Sequence, residues 1–176
     1  YLFADSTAAH GPTYDWIEIA PPAGGDGIEL TALDNIDDGY FYPLELPFAF
    51  NFYGEEYDKI AVGSNGGLYF EDKYFSLGNL PIPSPQNSIA TFIAPFWDDL
   101  VVYPGSIYYK NLGDRLVIEY YQLSGCCVTM EQGTWQAILF ANGNILFQYK
   151  DVTFAGAYDQ GNMATVGIQG DGDTGL

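Results

Sequence analysis

The stretch that most constrains the fold is Ile93 to Leu100, which reads IAPFWDDL. Its aromatic side chains suit the pleated, half-buried surface of a β-strand. Pro95 cannot donate a ladder hydrogen bond, so it restricts the segment to a strand start, an edge or a bulge. Short strand-like runs precede and follow this stretch, and no part of the sequence has a sustained helical period. We therefore predict an all-β domain with this strand near its middle.

The composition agrees with many strands joined by tight turns. The chain has 176 residues, 17% of them aromatic, with 21 glycines and 10 prolines. We predict about eleven strands, arranged as two antiparallel sheets packed face to face in a jelly-roll-like β-sandwich. The longest apolar stretch is shorter than the roughly 18 residues that a membrane span requires, so no span is expected.

Local patterns place several of these strands. Residues 14–19, YDWIEI, alternate between two faces and predict the first strand. Residues 115–121 alternate in the same way, and only the face that carries Leu116, Ile118 and Tyr120 is clearly core.

Two Asn-Gly pairs predict hairpin turns, because both residue types tolerate a positive φ. They are Asn65-Gly66 and Asn142-Gly143. Between residues 46 and 54, Phe48, Phe50 and Phe52 fall on one strand face, and we predict that this face is core.

The first 13 residues, YLFADSTAAHGPT, stand apart from the sandwich that we assign to residues 14–176. The chain begins at a tyrosine rather than a methionine, which suggests processing and makes export plausible. The segment is either a flexible arm or a donor strand that adds to a neighbouring subunit. The residues that would form the donor strand are Tyr1, Leu2, Phe3 and Ala4.

The charge balance points to an extracellular or cell-surface setting. The chain has 23 acidic and 5 basic residues, a formal net charge of −18. Such a surface repels phosphate backbones and argues against a nucleic-acid partner. Divalent cations or protons would relieve the repulsion between its carboxylates.

Calcium is the cofactor that the acidic loops suggest. Residues 34–39, DNIDDG, form a carboxylate-rich loop, and Asp98-Asp99 follow the aromatic strand. Oxygen ligands of this kind suit calcium, although the spacing of a helical calcium loop is missing and an ordinary solvated turn is the alternative. The candidate ligands are Asp34, Asp37, Asp38, Asp98 and Asp99.

The same residues do not predict an enzyme. Alternation places Asp98 and Asp99 on opposite faces of a strand, so they would not act together on one substrate unless a bulge intervenes. The single histidine, His10, lies in the arm, and no Ser-His-Asp or Cys/His metal pattern is visible. We expect no catalytic residues.

The two cysteines, Cys126 and Cys127, are adjacent. They form a vicinal disulfide, remain two thiols, or bond to another chain.

Tyrosines beside the acidic segments are candidates for binding glycans by stacking on sugar rings. Tyrosines in a two-sheet domain also serve as core or cross-strand pairs, and both interpretations remain open. The main candidates are Tyr40, Tyr42 and Tyr103, with Tyr108, Tyr109 and Tyr121 as further possibilities.

The order of motifs resembles a known type of module. These motifs are FAFNFYG, SNGGLYF, IAPFWDDL, GDRLVIEY and WQAILFANGNILFQY. Over residues 14–170 the pattern resembles β-sandwich modules of secreted bacterial and archaeal surface proteins and, more distantly, the nidogen-type extracellular domain of animals.

The resemblance implies an extracellular, non-catalytic module found beside proteases and adhesins, with no active site. The Cys126-Cys127 pair is not part of the pattern. Such modules usually continue past the equivalent of residues 174–176 into one more strand. A sheet edge left open there would accept a strand from a neighbour.

Together these features predict a structural or adhesive extracellular module, the subunit of a surface filament joined by strand donation. The alternative is a carbohydrate- or peptide-binding accessory module of a larger secreted enzyme or adhesin. The expected partners are further copies of the chain, other surface proteins, or glycans.

Overall fold

The computed structural model describes residues 1–73, 78–86, 89–126, 128–154 and 156–176. Within these ranges the chain forms eleven strands in two antiparallel sheets, which confirms the predicted β-sandwich. The strands are β1 (Ile28–Glu29), β2 (Tyr40–Phe52), β3 (Glu55–Gly63), β4 (Leu68–Tyr69), β5 (Phe92–Trp97), β6 (Leu100–Asn111), β7 (Arg115–Gly125), β8 (Val128–Phe140), β9 (Ile145–Asp151), β10 (Thr165–Asp171) and β11 (Thr174–Gly175). A short 3-10 helix covers Pro21–Ala23, and 3-10 turns interrupted at Asp159 and Gln160 cover Gly156–Gly161.

Strands β2–β5 form most of one sheet and β6–β9 form most of the other. The six-stranded sheet has the order β11-β10-β5-β4-β3-β2, and the five-stranded sheet has the order β1-β6-β7-β8-β9. The aromatic stretch forms β5, which lies inside the six-stranded sheet and is buried throughout. Pro95 lies where the register between β5 and β10 shifts, so its missing N–H falls at an irregularity in the ladder.

The core between the sheets is strongly aromatic. The Trp135 ring stacks on Tyr120, with centroids 5.1 Å apart, and also contacts Phe96 at 4.9 Å. Phe50 and Phe52 are fully buried and Phe48 packs against the same cluster, which confirms the predicted core face.

Both predicted hairpin turns are present. The Asn65-Gly66 pair joins β3 to β4, and Asn142-Gly143 joins β8 to β9. Gly66 has φ 77° and Gly143 has φ 85°, backbone conformations that glycine adopts without steric cost.

The predicted strand over residues 14–19 is absent. Instead, residues 14–20, here called the strap, cross the outer face of the five-stranded sheet. The Gln148 side chain accepts from the Asp15 amide at 2.7 Å and donates to the Asp15 carbonyl at 2.9 Å. Side chains thus satisfy strap backbone groups that a strand would pair in a ladder. Alternation in the sequence does not specify what the backbone bonds to, and the burial of residues 14–20 does not alternate.

In the described part of the chain, no helix has the length and apolar character needed to cross a bilayer.

Candidate cation-binding site

The acidic loop at residues 34–39 is tied to the β3–β4 turn through Ser64. The fully buried Ser64 Oγ accepts the Gly39 amide at 2.9 Å. The same hydroxyl lies within hydrogen-bonding distance of the Asp37 and Gly39 carbonyl oxygens. A turn far along the chain therefore fixes the backbone of the loop.

Asn65 joins the same loop to the start of β6. Its Nδ2 donates to the Asp38 carboxylate at 2.9 Å, and its Oδ1 accepts from the Leu100 amide at 2.9 Å. Asn65 is only 1% exposed. A second tie runs from the Val102 amide to the Ile36 carbonyl, at 2.7 Å. The loop and the segment after β5 are thus held side by side.

This arrangement brings Asp37 and Asp99 together. One carboxylate oxygen of each and the Cys126 Sγ all lie within 4.8 Å of one another, and the three residues are half-buried. The Cys126 amide donates to the Asp99 carbonyl at 2.8 Å, which fixes the thiol beside the carboxylates. The sequence suggested both aspartates but gave no reason to include Cys126.

The electrostatics of the cluster favour a neutralising partner. Burial raises the pKa of Asp99 above its ordinary value, and the nearby carboxylates of Asp38, Asp37 and Asp98 raise it further. A bound cation or a shared proton would relieve this repulsion. The site can therefore bind a cation through its carboxylate oxygens, with the Cys126 thiol beside them.

Asp98 lies next to this cluster but is almost fully buried. It is 3% exposed, and burial raises its pKa. Its Oδ1 accepts from the Asp99 amide at 2.9 Å, whereas its Oδ2 has no hydrogen-bond partner among the described residues. Asp98 and Asp99 thus occupy different environments although they are adjacent in sequence.

Asp34, the remaining predicted ligand, hydrogen-bonds within its own loop. Its Oδ1 accepts from the Tyr40 amide at 2.8 Å, and it is not one of the residues that converge with Asp37.

The predicted glycan-binding tyrosines lie on two sheets. Tyr40 and Tyr42 pack against the outer face of the six-stranded sheet, and the Tyr40 hydroxyl donates to Asp72 at 2.8 Å. Tyr103 lies on β6 in the other sheet and is 57% exposed. A different aromatic pair lies on the strap, where the Tyr14 and Trp16 rings stack with centroids 6.3 Å apart.

The N-terminal arm is anchored by its first residue. The Tyr1 ring contacts Phe52 and Tyr53 with centroids 5.4 Å and 5.1 Å away, and its hydroxyl donates to the Asn51 carbonyl at 3.0 Å. Burial and the neighbouring Tyr53 raise the pKa of Tyr1 to about 12. In contrast, Leu2 is fully exposed and Phe3 is 78% exposed. The predicted vicinal disulfide involves Cys127, which lies outside the described residues.

Comparisons with known proteins give one finding. A protein-family model described as NIDO related matches residues 6–176, nearly the whole chain. No curated protein and no solved structure matches the chain significantly.

Proposed function

This chain belongs to the NIDO-related family, a domain family of extracellular type, and we propose that it is a non-catalytic structural or adhesive module that assembles outside the cell through its N-terminal arm. The exposure of the arm carries the proposal. Leu2 and Phe3 project from a segment that lies outside both sheets. Burying each of these side chains against another copy would contribute about 1.5–3 kcal/mol to association.

The proposed mode of assembly is strand addition, in which an extended segment pairs with an exposed sheet edge. Arm residues 1–4 would supply the strand. We propose the first half of β10 as the acceptor, because β11 pairs with the second half of β10, at Gln169 and Asp171. The exposed apolar side chain of Val166 lies there and would be covered by an incoming strand.

Complementation between two defective variants tests this mode of assembly. Leu2→Asp/Phe3→Asp disables the donor arm, and Val166→Lys places a charge on the acceptor edge. Each variant alone should sediment as a monomer. An equimolar mixture should form dimers, because one variant keeps the acceptor and the other keeps the arm.

The matched control is Ile28→Lys, which places the same charge at an exposed apolar position on an edge strand of the other sheet. It should assemble like the wild type. If Ile28→Lys blocks assembly and Val166→Lys does not, the proposed acceptor is wrong. If the mixture stays monomeric, strand donation between these two sites is wrong.

We also propose that the acidic end of the sandwich binds calcium. Two oxygens that both bind one calcium ion at about 2.3–2.6 Å lie no more than about 5 Å apart, and the Asp37 and Asp99 oxygens are within 4.8 Å of each other. The Asp38 carboxylate lies close enough to Asp99 to raise its pKa and would add a further oxygen ligand. The Cys126 thiol is a soft ligand and would contribute little to a calcium site.

Metal titration of the purified chain, followed by thermal unfolding, tests the calcium site. Calcium should raise the midpoint temperature of the wild type but not that of Asp37→Asn/Asp99→Asn. Asp58→Asn, a change at an exposed carboxylate on β3, should respond like the wild type. A shift caused by zinc and lost in Cys126→Ser, with no calcium response, would instead indicate a thiolate metal site.

A carbohydrate-binding accessory module is the second candidate function. The specific support is the strap pair Tyr14 and Trp16, since Tyr14 is 55% exposed and the rings stack. A glycan array should then give a signal that Tyr14→Ala removes and Tyr103→Ala retains. An array without any signal would contradict this candidate.

A further inference from the structure

A buried carboxyl and a buried amide face each other beneath the strap. Glu119 on β7 pairs in register with Gln136 on β8, and both side chains are fully buried. The Gln136 Nε2 donates to the Ile17 carbonyl at 2.6 Å and to Glu119 Oε2 at 3.0 Å. The same Glu119 oxygen accepts from the Ile19 amide at 3.3 Å. These two side chains therefore hold the strap backbone at two points.

If Glu119 is ionised, two buried side-chain oxygens of this pair lack hydrogen bonds. Neither Glu119 Oε1 nor Gln136 Oε1 has a hydrogen-bond partner among the described residues. The orientation of the Gln136 amide is set by the Ile17 carbonyl, which only accepts. An ionised carboxylate also only accepts, so two buried oxygens would stay unsatisfied. A proton on Glu119 would supply the missing donor, and the amide oxygen of Gln136 on the neighbouring strand would accept it.

The surrounding charges also bear on the protonation of Glu119. Burial, together with a smaller contribution from the Glu18 carboxylate on the strap, raises the pKa of Glu119 to about 7. Lys150 on β9 acts in the opposite direction, but its ammonium already bonds Glu18 at 2.7 Å. Tyr108, the cross-strand neighbour on β6, is a further titratable group that faces Glu119.

We propose that Glu119 and Gln136 form a protonation-dependent latch, in which the neutral carboxyl pairs with the amide and holds the strap, and the ionised carboxyl favours release of the strap. A lifted strap would let water reach Glu119, so the ionised form is more stable in the lifted state. The ratio of lifted to seated straps should therefore rise between about pH 5 and about pH 9, by up to the order of a hundredfold. This latch does not depend on the proposed assembly, although the strap continues directly into the arm.

Hydrogen exchange of the Ile19 amide, expressed as a protection factor, measures this opening directly. In the wild type the protection factor should fall by tenfold or more between about pH 5.5 and about pH 8.5. Glu119→Gln keeps a donor and an acceptor beside Gln136 but does not titrate, so its protection factor should be the same at both pH values. The matched control, Glu45→Gln at an exposed position on β2, should show the wild-type fall.

Three results would overturn the latch. The first is an Ile19 protection factor in the wild type that does not change with pH. The second is a Glu119→Gln variant that loses protection as the wild type does. The third is an Ile19 amide with the same protection factor as the core amide of Ile138 at every pH. The strap would then open only when the whole sandwich unfolds.

Discussion

Asn65 is a single residue that links the acidic loop to the start of β6. Asn65→Ala would leave the Asp38 carboxylate and the Leu100 amide without their partner. We expect this change to lower the free energy of unfolding by about 1–3 kcal/mol, measured by urea denaturation. Asn142→Ala, in the exposed Asn-Gly turn, is the control and should cost no more than about 0.5 kcal/mol. Equal losses for the two variants would mean that the loop is not held through Asn65.

Glu119 should give the protein a recognisable pH dependence of stability. Its folded-state pKa of about 7 is above its ordinary value of 4.5, so the folded chain binds more protons than the unfolded chain between these pH values. Stability from this group is therefore present below about pH 4.5 and is lost as pH rises through about 7. The free energy of unfolding of the wild type minus that of Glu119→Gln, measured by urea denaturation, should fall by on the order of 2–3 kcal/mol from about pH 4.5 to about pH 8.5. A constant difference would contradict the raised pKa.

The sequence predicts the aspartates of the acidic cluster but not the buried residues that hold them. Aspartates in a loop and after a strand are visible as runs, so Asp37 and Asp99 were predicted as candidates. Ser64 and Asn65 were predicted only as turn residues, because turns usually expose their side chains. Their burial and the nearby thiol of Cys126 depend on which loops meet at one end of the sandwich, and local patterns do not specify that.

Among the structural elements, the strap and the arm should differ in their effect on stability. Ile19 and Ala20 on the strap are fully buried against Val117 and Ile138, whereas most of the arm is exposed. Removal of residues 1–13 should therefore leave the thermal midpoint nearly unchanged. Removal of residues 1–20 should expose an apolar sheet face and lower the midpoint by well over 5 °C. Equal midpoints for the two truncations would mean that the strap does not stabilise the sheet.

The elements also differ in how far they could be predicted. The Asn65-Gly66 and Asn142-Gly143 hairpins were predicted correctly because a two-residue turn is specified by its own residues. The strap was predicted as a strand because its side chains alternate as in a strand. Its backbone bonds side chains such as Gln148 and Gln136 from the sheet beneath, which is a tertiary effect.

For the whole molecule, the net charge of −18 opposes any contact between copies. Salt screens this repulsion over a distance of about 10 Å at 0.1 M ionic strength. Assembly through apolar arm residues should therefore strengthen from about 0.02 M to about 0.5 M NaCl, seen as a rise in the weight-average sedimentation coefficient. Dissociation by salt would indicate that ion pairs, rather than Leu2 and Phe3, join the copies.

The sandwich itself could be predicted from the sequence, because alternating faces and frequent turns limit an aromatic chain of this length to packed antiparallel sheets. The strand order could not, since the return of β10 to pair with β5 joins segments far apart in the chain. The same limit applies to the function: exposed apolar residues in the arm suggest a partner without identifying its binding site.

The most direct test of arm-mediated assembly is sedimentation velocity of the full chain beside the chain that lacks residues 1–13, each with and without a calcium chelator. Assembly through the arm predicts species larger than a monomer for the full chain and monomers for the truncated chain, whether or not chelator is present. Identical sedimentation of the two chains would contradict the central claim. Loss of large species on chelation alone would assign the joint to the acidic loops instead.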